Sequence, residues 1–382
     1  MSRAALFNGL ADAGHEIVVA APITATDLAA GDSFAAMNPK LRVVRYLVDA
    51  YSYGNANVTS DETGTWSREA AAFAELLPRA IDGFRPDVML IGREDQAPPV
   101  TAIAKRHHLP AVLMARGLVA NIVHGPYEPV LRDRFLNSFR EVDAIVTVAD
   151  HLTEGLRELG LEHVRTAPNS IDRCEFHPVA PDAKLLSEED LDAGSPIVMC
   201  VGGLRPVKRP LDVIEAARLL QQERSDVTLV FCGDGPLEQQ CREQVAASGI
   251  DNQVRFAGWI DYGRMPGVLS AASVVVLASE SEGLSRALLE AMASERCVVA
   301  SDIPASREVI GDGENGLLFG IGNPADLATK LLTALGDGEL RARLGQAARA
   351  STAWRSIESG VGIHIDAMQD AIARFRERTG PC

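Results

Sequence analysis

The chain has 382 residues, of which 47% are hydrophobic, and its formal net charge at pH 7 is −15. This length suits two α/β domains better than one core, and the negative charge disfavours binding to a nucleic-acid backbone. Its six cysteines are scattered without a C-x-x-C pair, which argues against a zinc cluster or a disulfide framework. There is no apolar run of about 20 residues, so we expect a cytoplasmic protein.

Short β-rich runs alternate with helical patterns along the chain. The predicted strands are residues 16–22, 87–92, 110–115, 143–149, 197–203, 227–233, 254–259, 273–279 and 297–301. Several of these runs are continuously apolar, as expected for parallel strands that helices cover on both faces. Amphipathic segments such as PLDVIEAARLLQQE separate them, which predicts repeated βα units.

A break in composition at 173–195 predicts a domain connection, because this segment mixes prolines with acidic residues and lacks a strand pattern. We place an N-terminal Rossmann-like domain over 1–173 and a C-terminal one over 174–354. In open parallel sheets, ligands bind beyond the carboxyl ends of the strands, so the expected site is the cleft between the two domains.

The stretch EGLSRALLE places two acidic residues, Glu282 and Glu290, around the predicted start of a helix near Leu284. The backbone N–H groups of Gly283, Leu284 and Ser285 would then be first-turn donors suited to phosphate or sugar oxygens, and Glu290 would accept hydrogen bonds from a pair of hydroxyls. A plainer interpretation is that Arg286 and Glu290 form a surface ion pair worth about 0.3 to 0.5 kcal/mol.

Two glycine turns follow predicted strands of the C-terminal domain. Gly202 and Gly203 precede the cations Arg205 and Lys208, which could neutralise a diphosphate leaving group. Gly233 begins a second tight turn that would let the backbone approach a base or a ribose. Together these parts suit a nucleotide that carries a sugar.

The ordered series of motifs resembles the retaining glycosyltransferases of the GT-B fold, glycosyltransferase family 4. The E-x7-E pair from Glu282 to Glu290 carries the resemblance, with AGHEIVV, RPDVMLIG, PNSIDRCEFHP, VGGLRPVKRPLDVIEAARLL, CGDGPLEQQ and VRFAGWI in matching order. The resemblance implies two Rossmann-like domains facing each other across a cleft. The N-terminal domain would bind the acceptor and the C-terminal domain the nucleotide-sugar donor, and a final helix over 355–382 would cross back to the N-terminal domain.

The resemblance also implies roles for individual residues. Glu282 would contact donor-sugar hydroxyls, the N–H groups of Gly283 to Ser285 would support the sugar or diphosphate, and Glu290 would bind the ribose. Lys208, with Arg205 nearby, would stabilise the departing diphosphate, and the backbone at Trp259 and Ile260 would meet the base. The donor would be a nucleotide sugar such as a UDP- or GDP-hexose, used without a bound metal or other cofactor. Its acceptor would be a carbohydrate, a lipid-linked molecule or a small molecule.

Three departures from the family pattern qualify these expectations. Gly203 stands where the family has an arginine, and Arg116 stands where it has a donor-contacting histidine. The chain begins with a pattern typical of the family's first helix, so the first N-terminal strand is apparently missing, and we expect that residues upstream of Met1 belong to the natural protein. The alternatives are a catalytically impaired nucleotide-sugar-binding protein and a GT-B epimerase or phosphorylase.

A group of basic residues lies between 101 and 140 in an otherwise acidic chain. Its members are Lys105, Arg106, Arg116, Arg132, Arg134 and Arg140. Such a face could attract an anionic acceptor or an anionic lipid surface and place the protein peripherally at the inner membrane. Scattered solvation of the same residues is the interpretation that we favour.

Overall fold

The computed structural model describes residues 3–30, 40–48, 65–124, 129–192 and 194–379. The chain divides into two compact units, unit 1 with residues 1–170 and 357–382, and unit 2 with residues 171–356. The first boundary thus falls after Ser170 rather than after Arg173, and the second falls before Ile357 rather than before Arg355.

The described part of unit 1 begins with a helix and carries two parallel sheets. Its elements up to the boundary are α1 (Arg3–Asp12), β1 (Val18–Thr24), α2 (Ala25–Ala30), β2 (Arg42–Val48), α3 (Thr65–Ala80), β3 (Met89–Ile91), α4 (Ala97–Arg106), β4 (Ala111–Ala115), α5 (Leu118–His124), α6 (Pro129–Arg140), β5 (Ala144–Thr147), α7 (Asp150–Glu158) and β6 (Val164–Thr166). Strands β1 and β2 form one sheet, and β3, β4, β5 and β6 form another in that order. In the described part of unit 1, no strand joins the two sheets.

Unit 2 is built around one parallel sheet of six strands. Its elements are α8 (Ala183–Glu188), β7 (Ile197–Val201), α9 (Pro210–Leu220), β8 (Thr228–Cys232), α10 (Glu238–Ser248), β9 (Val254–Gly258), α11 (Met265–Ala271), β10 (Val274–Leu277), α12 (Arg286–Ala293), β11 (Cys297–Ser301), α13 (Pro304–Arg307), β12 (Leu317–Phe319), α14 (Pro324–Gly336) and α15 (Gly338–Ser351). The strand order is β12-β11-β10-β7-β8-β9. Strands β8 and β9 therefore lie on one side of β7, and β10, β11 and β12 lie on its other side. The point between β7 and β10 where the strand order reverses is a switch point, and open α/β sheets bind ligands at such points.

The last helix, α16 (Ile357–Thr379), belongs to unit 1. Ala367 and Ala371 are fully buried against Val112 and Val146 of the sheet, so small side chains allow the helix to lie close to the strands. Arg374 donates two hydrogen bonds to the carbonyl oxygen of Asp143, at 2.7 and 3.0 Å. The predicted return of the last helix to the N-terminal domain is confirmed.

Each of the nine predicted strands overlaps a strand of the structure. Three strands were not predicted, namely β2, β6 and β12. The described residues contain no helix that is long and apolar enough to cross a bilayer.

A buried histidine makes the stability of unit 1 depend on pH. His364 on α16 is 5% exposed, and its Nδ1 lies 2.7 Å from the carbonyl oxygen of Gly360. Burial lowers the pKa of His364 to about 4. Between pH 6.5 and 4 the unfolded chain binds a proton that the folded chain does not, so stability falls as the pH falls through this window.

We expect this effect to reach about 3 kcal/mol at pH 4, since each pKa unit is worth about 1.4 kcal/mol. Urea unfolding at several pH values should therefore show a steeper loss of stability for the wild type than for His364→Gln below pH 6.5. The exposed His163 supplies the control, because His163→Gln should keep the wild-type slope. Equal slopes for the wild type and His364→Gln would contradict the assignment.

Candidate functional site

The glycine turns after β7 and β8 pack against each other through their backbones. The N–H of Leu204 donates to the carbonyl oxygen of Asp234 at 2.8 Å. A Cβ added to Gly233 would lie 2.3 Å from the Gly202 carbonyl oxygen, and one added to Gly235 would lie 2.4 Å from the Leu204 oxygen. Gly233 was expected to let the backbone approach a ligand; in the structure, contact between the two turns already requires glycine there.

Lys208 and Glu282 are brought together at the carboxyl ends of the neighbouring strands β7 and β10. The Lys208 ammonium forms an ion pair with the Glu282 carboxylate, and their side chains are 30% and 18% exposed. Ser279 donates its hydroxyl to the same carboxylate at 2.8 Å. The loop carrying Glu282 is fixed to the turn carrying Lys208, because the N–H of Glu280 donates to the Val207 oxygen at 2.8 Å. Two predicted site residues thus form one charged pair at the switch point.

Arg205 lies next to the position that Gly203 leaves without a side chain. Its Nε would be 3.4 Å from a Cβ at position 203, and the Asp234 carbonyl oxygen would be 3.3 Å from it. The side chain of Arg205 therefore occupies the space that the side chain of a larger residue at 203 would enter.

The helix after Glu282 begins two residues later than predicted. Ser285 is the N-cap of α12, with its Oγ accepting from the N–H of Leu288 at 3.4 Å. The helix starts at Arg286 rather than near Leu284. Gly283, Leu284 and Ser285 consequently belong to the approach to the helix and not to its first turn, because the polar Ser285 satisfies a first-turn donor from outside the helix.

Glu290 is buried on α12 and held by an arginine one turn earlier. Its side chain is 7% exposed, and Arg286 donates to its Oε1 at 3.1 Å. The Arg286 guanidinium also lies 5.3 Å from the centre of the Tyr262 ring. The expected ion pair is therefore present, with the Arg286 side chain 42% exposed and the Glu290 carboxylate buried, and a carboxylate so well buried depends on its partner.

Further ionisable groups surround this pair. Burial raises the pKa of Tyr262 to about 12, and the charge of Glu290 adds to the increase. Burial also raises the pKa of the Glu175 carboxyl, with additional contributions from Asp172 and Glu290. Arg286 is the cation that offsets these acidic groups. This corner of unit 2 therefore favours an additional hydrogen-bond donor, such as a hydroxyl, over an additional anion.

The remaining predicted site residues lie in two different environments. In unit 2, Trp259 is 76% exposed directly after β9, whereas the side chain of Ile260 is 7% exposed and packs in the core. In unit 1, Arg116 follows β4, and its backbone N–H donates to the Glu94 carboxylate. Any ligand contact at Ile260 would therefore involve its backbone.

Members of the basic group in unit 1 have local partners, among them Arg140, which donates to the Oδ1 of Asn137 at 3.0 Å. Lys105 forms an ion pair with Glu141 at 2.8 Å, and Arg132 donates to the Ile122 carbonyl oxygen at 3.1 Å. These contacts agree with the favoured interpretation of scattered, solvated charges.

Sequence reasoning missed three residues that shape the site. Ser279 had a signal, because it is a hydroxyl residue just after β10 and three positions before Glu282. Tyr262 and Glu175 had none, since their segments reach α12 only through the tertiary fold. Among the described residues, no group of three or more His, Cys, Asp and Glu side chains is arranged to hold a metal ion.

Two Rossmann-like units with a charged site at a switch point define the GT-B class of folds. Over 97% of its length, the chain is similar to sucrose-phosphate synthase from Thermosynechococcus elongatus, with a TM-score of 0.79, 19% identity and coverage of 92% of that chain. It is also similar to the Anabaena protein HepE, whose structure contains UDP and glucose, with a TM-score of 0.76, 16% identity and 96% of each chain covered. At these identities the likeness establishes the fold alone.

The family follows from the sequence matches. Residues 4–174 match the family described as Glycosyltransferase Family 4, and residues 183–351 match Glycosyl transferases group 1. The chain belongs to this family of glycosyltransferases.

Curated relatives match part of the chain. Alpha-D-kanosaminyltransferase of Streptomyces kanamyceticus is 28% identical over 243 residues, which are 62% of this chain and 63% of the relative. EpsD of Bacillus subtilis is 29% identical over 254 residues, 66% of this chain and 65% of that protein. The match with the lipopolysaccharide core glycosyltransferase LpsE of Rhizobium meliloti is 31% identical over 55% of this chain and 59% of LpsE. The chain thus spans less than two thirds of each of these relatives.

The packing of the two glycine turns can be tested by a pair of alanine substitutions. Gly235→Ala places a Cβ against the Leu204 carbonyl oxygen, so we expect a loss of about 1 to 3 kcal/mol in the free energy of unfolding. Gly263→Ala is the matched control, because nothing lies within 4 Å of its Cβ. Urea unfolding measures both variants. Equal stability of the two would contradict the turn packing described above.

Proposed function

We propose that the protein is a retaining glycosyltransferase that moves a hexose from a UDP- or GDP-sugar to an acceptor hydroxyl. The observation that carries this proposal is the Lys208–Glu282 pair at the switch point of unit 2. A nucleotide sugar supplies a diphosphate for the ammonium and sugar hydroxyls for the carboxylate. Membership of the glycosyltransferase family and the glycosyltransferase names of the relatives support the same conclusion.

In this proposal Lys208 stabilises the charge that develops on the diphosphate as the bond to the sugar breaks. Arg205 lies on the same turn and adds a second cation. Electrostatic stabilisation of a leaving group by fixed cations is among the largest contributions that a protein can make to such a reaction. Transfer of this kind requires no protein-bound metal, and a chelator should leave activity unchanged.

The two carboxylates would position the donor. Glu282, fixed by Ser279 and Lys208, accepts hydrogen bonds from the sugar, and Glu290, fixed by Arg286, accepts them from the ribose. Trp259 and the backbone of Ile260 would lie against the base. Such positioning is worth several kcal/mol because it converts an encounter between donor and acceptor into a preorganised step.

Retention of the anomeric configuration would follow from attack on the face that the diphosphate leaves. The leaving phosphate oxygen accepts the proton of the acceptor hydroxyl, the oxygen–carbon bond to the acceptor forms, and the bond to the diphosphate breaks. The acceptor itself would be a carbohydrate, a lipid-linked molecule or a small molecule. The ion pair of Lys105 with Glu141 and the hydrogen bond of Arg132 to the Ile122 carbonyl oxygen give no support to a membrane surface as a partner.

The donor half of the proposal predicts opposite effects for the two members of the ion pair. Lys208→Ala removes the cation and leaves Glu282 to repel the ligand, so binding of free UDP or GDP should weaken about tenfold or more. Glu282→Gln keeps the shape of the side chain and releases Lys208 from its partner, so the same nucleotide should bind equally well or more tightly. Isothermal titration measures both dissociation constants.

Two controls complete this binding experiment. Lys184→Ala removes an exposed lysine of unit 2 that pairs with Glu188 at 3.7 Å and should bind like the wild type. Arg205→Ala should weaken binding to a smaller degree than Lys208→Ala. A chain that binds neither nucleotide at millimolar concentration, or a Lys208→Ala variant that binds normally, would contradict the proposed donor site.

Turnover distinguishes catalysis from binding alone. Release of nucleoside diphosphate from a panel of UDP- and GDP-hexoses should occur with the wild type and fall by at least about a hundredfold in Glu282→Gln, which loses a contact made to the reacting sugar. Glu243→Gln, at an exposed position, should leave the rate unchanged. Proton NMR of the product should show the anomeric configuration of the donor.

Normal binding without release from any donor would instead favour the impaired binding protein, to which Gly203 and Arg116 point. Inversion at the anomeric carbon would overturn the retaining mechanism.

A further inference from the structure

Arg209 has a backbone conformation that its place in the sequence disfavours. Its φ and ψ are 49° and 48°, in the left-handed region that favours glycine. Arg209 is the N-cap of α9 and precedes Pro210, and both of these positions favour extended backbone instead. The residue therefore departs from the preferred conformation on two counts, and it directly follows Lys208 of the proposed donor site.

The other left-handed residues in the described part of the chain lie where such residues are common. Apart from glycines, they are His108, Asp190 and Glu295. Each lies one position beyond the C-cap of a helix, which is the usual place for a left-handed residue. Arg209 begins a helix instead, so its conformation must be stabilised by the structure around it.

The guanidinium of Arg209 makes contacts that can stabilise this conformation. Its Nε donates to Oδ2 of Asp212 at 2.5 Å, and its Nη1 donates to Oε2 of Glu280 at 3.5 Å. A Cβ added to Gly322 would lie 3.0 Å from Nη2, so the guanidinium also lies against the turn after β12. One side chain therefore connects the turn after β7 with the loops after β10 and β12.

Val207 and Arg209 hold the same residue from the two sides of Lys208. The N–H of Glu280 donates to the Val207 carbonyl oxygen at 2.8 Å, and the carboxylate of Glu280 accepts from Arg209. Glu280 lies two positions before Glu282, which pairs with Lys208. The lysine and its carboxylate partner are therefore attached to a common frame, which consists of Val207, Arg209 and Glu280.

The ion pair within this frame contributes little to stability. The side chain of Arg209 is 32% exposed and that of Glu280 is 60% exposed, and solvent weakens ion pairs at such exposures. The left-handed conformation of a residue other than glycine also raises the free energy of the folded state. A strained residue whose ion pair adds little stability indicates a role in geometry.

We propose that Arg209 is a positioning residue, which holds the frame so that the Lys208 ammonium meets the diphosphate of the nucleotide-sugar donor. This role rests on the donor site proposed above. Without the guanidinium, the turn after β7 can move relative to the loop that carries Glu282, and a displacement of about 1 Å is enough to weaken a preorganised contact. Arg209 acts through Lys208 and does not itself touch the ligand.

A double-mutant cycle on the full chain tests the coupling of Arg209 to Lys208. Arg209→Asn removes the guanidinium, and asparagine tolerates the left-handed region. In isothermal titration with free UDP or GDP, whichever the wild type binds, Arg209→Asn should weaken binding about fivefold in the wild type and less than about twofold in Lys208→Ala. The urea midpoint of Arg209→Asn should equal or exceed that of the wild type, so the loss of affinity would not reflect a loss of stability.

Arg218→Gln is the matched control for the loss of a positive charge. Arg218 also belongs to α9, and it pairs with Glu215 at a similar exposure of 35%. This variant should bind the nucleotide like the wild type.

The frame also has a readout that needs no ligand. Hydrogen exchange at the Glu280 amide should be at least about tenfold faster in Arg209→Asn than in the wild type. The amide of Ser273 is the internal control, because it precedes β10 at the opposite end of that strand and donates to the Ile197 carbonyl oxygen at 2.8 Å. Its exchange should not change.

Equal weakening by Arg209→Asn in the wild type and in Lys208→Ala would give the arginine an independent role and overturn this proposal alone. Unchanged exchange at Glu280, or faster exchange with unchanged nucleotide binding, would also overturn it. If Lys208→Ala binds the nucleotide like the wild type, the donor site itself fails and the positioning role fails with it. The exchange at Glu280 then still reports whether the frame exists.

Discussion

The ion pair between Lys208 and Glu282 is the interaction on which the proposed chemistry depends. Each charge is partly buried and each neutralises the other, so a ligand that engages only one of them must leave the other without its partner. An anion without hydroxyls would bind the lysine but would be repelled by the carboxylate. A sugar without a phosphate would have to replace the lysine as the partner of the carboxylate. A ligand that carries a diphosphate and hydroxyls together compensates both charges, because separating a buried pair is costly only when one member remains unpaired. The pair therefore selects for a composite ligand.

The sheet of unit 2 determines where this pair lies. Since the strands grow outward from β7 in one direction and from β10 in the other, the connections after these two neighbours leave a crevice at their carboxyl ends. The glycine turns of β7 and β8 can approach each other only because Gly233 and Gly235 lack a Cβ. This close packing sets the path of the chain through Arg205 to Lys208. A backbone constraint in two turns thus fixes the position of a charge four residues further along.

Much of this arrangement could be predicted from the sequence, and the exceptions have physical causes. Continuous apolar runs marked the buried strands β10 and β11 well, but β2 has arginines at 42 and 45 that interrupt its apolar pattern, and β6 and β12 have three residues each. The acidic pair was found by its spacing. The helix start was predicted near Leu284 but lies at Arg286 after the N-cap Ser285, because helix boundaries depend on local turn geometry that composition does not reveal. The cluster of Tyr262 and Glu175 around Glu290 depends on tertiary contacts between distant segments.

The two units differ in how completely their sheets are formed. The sheet of unit 2 runs without interruption through six strands, and its central strands are fully buried. All residues proposed to contact the donor, apart from Arg116, belong to unit 2. The described part of unit 1 carries two separate sheets instead. The proposed donor contacts therefore rest on the complete sheet of unit 2.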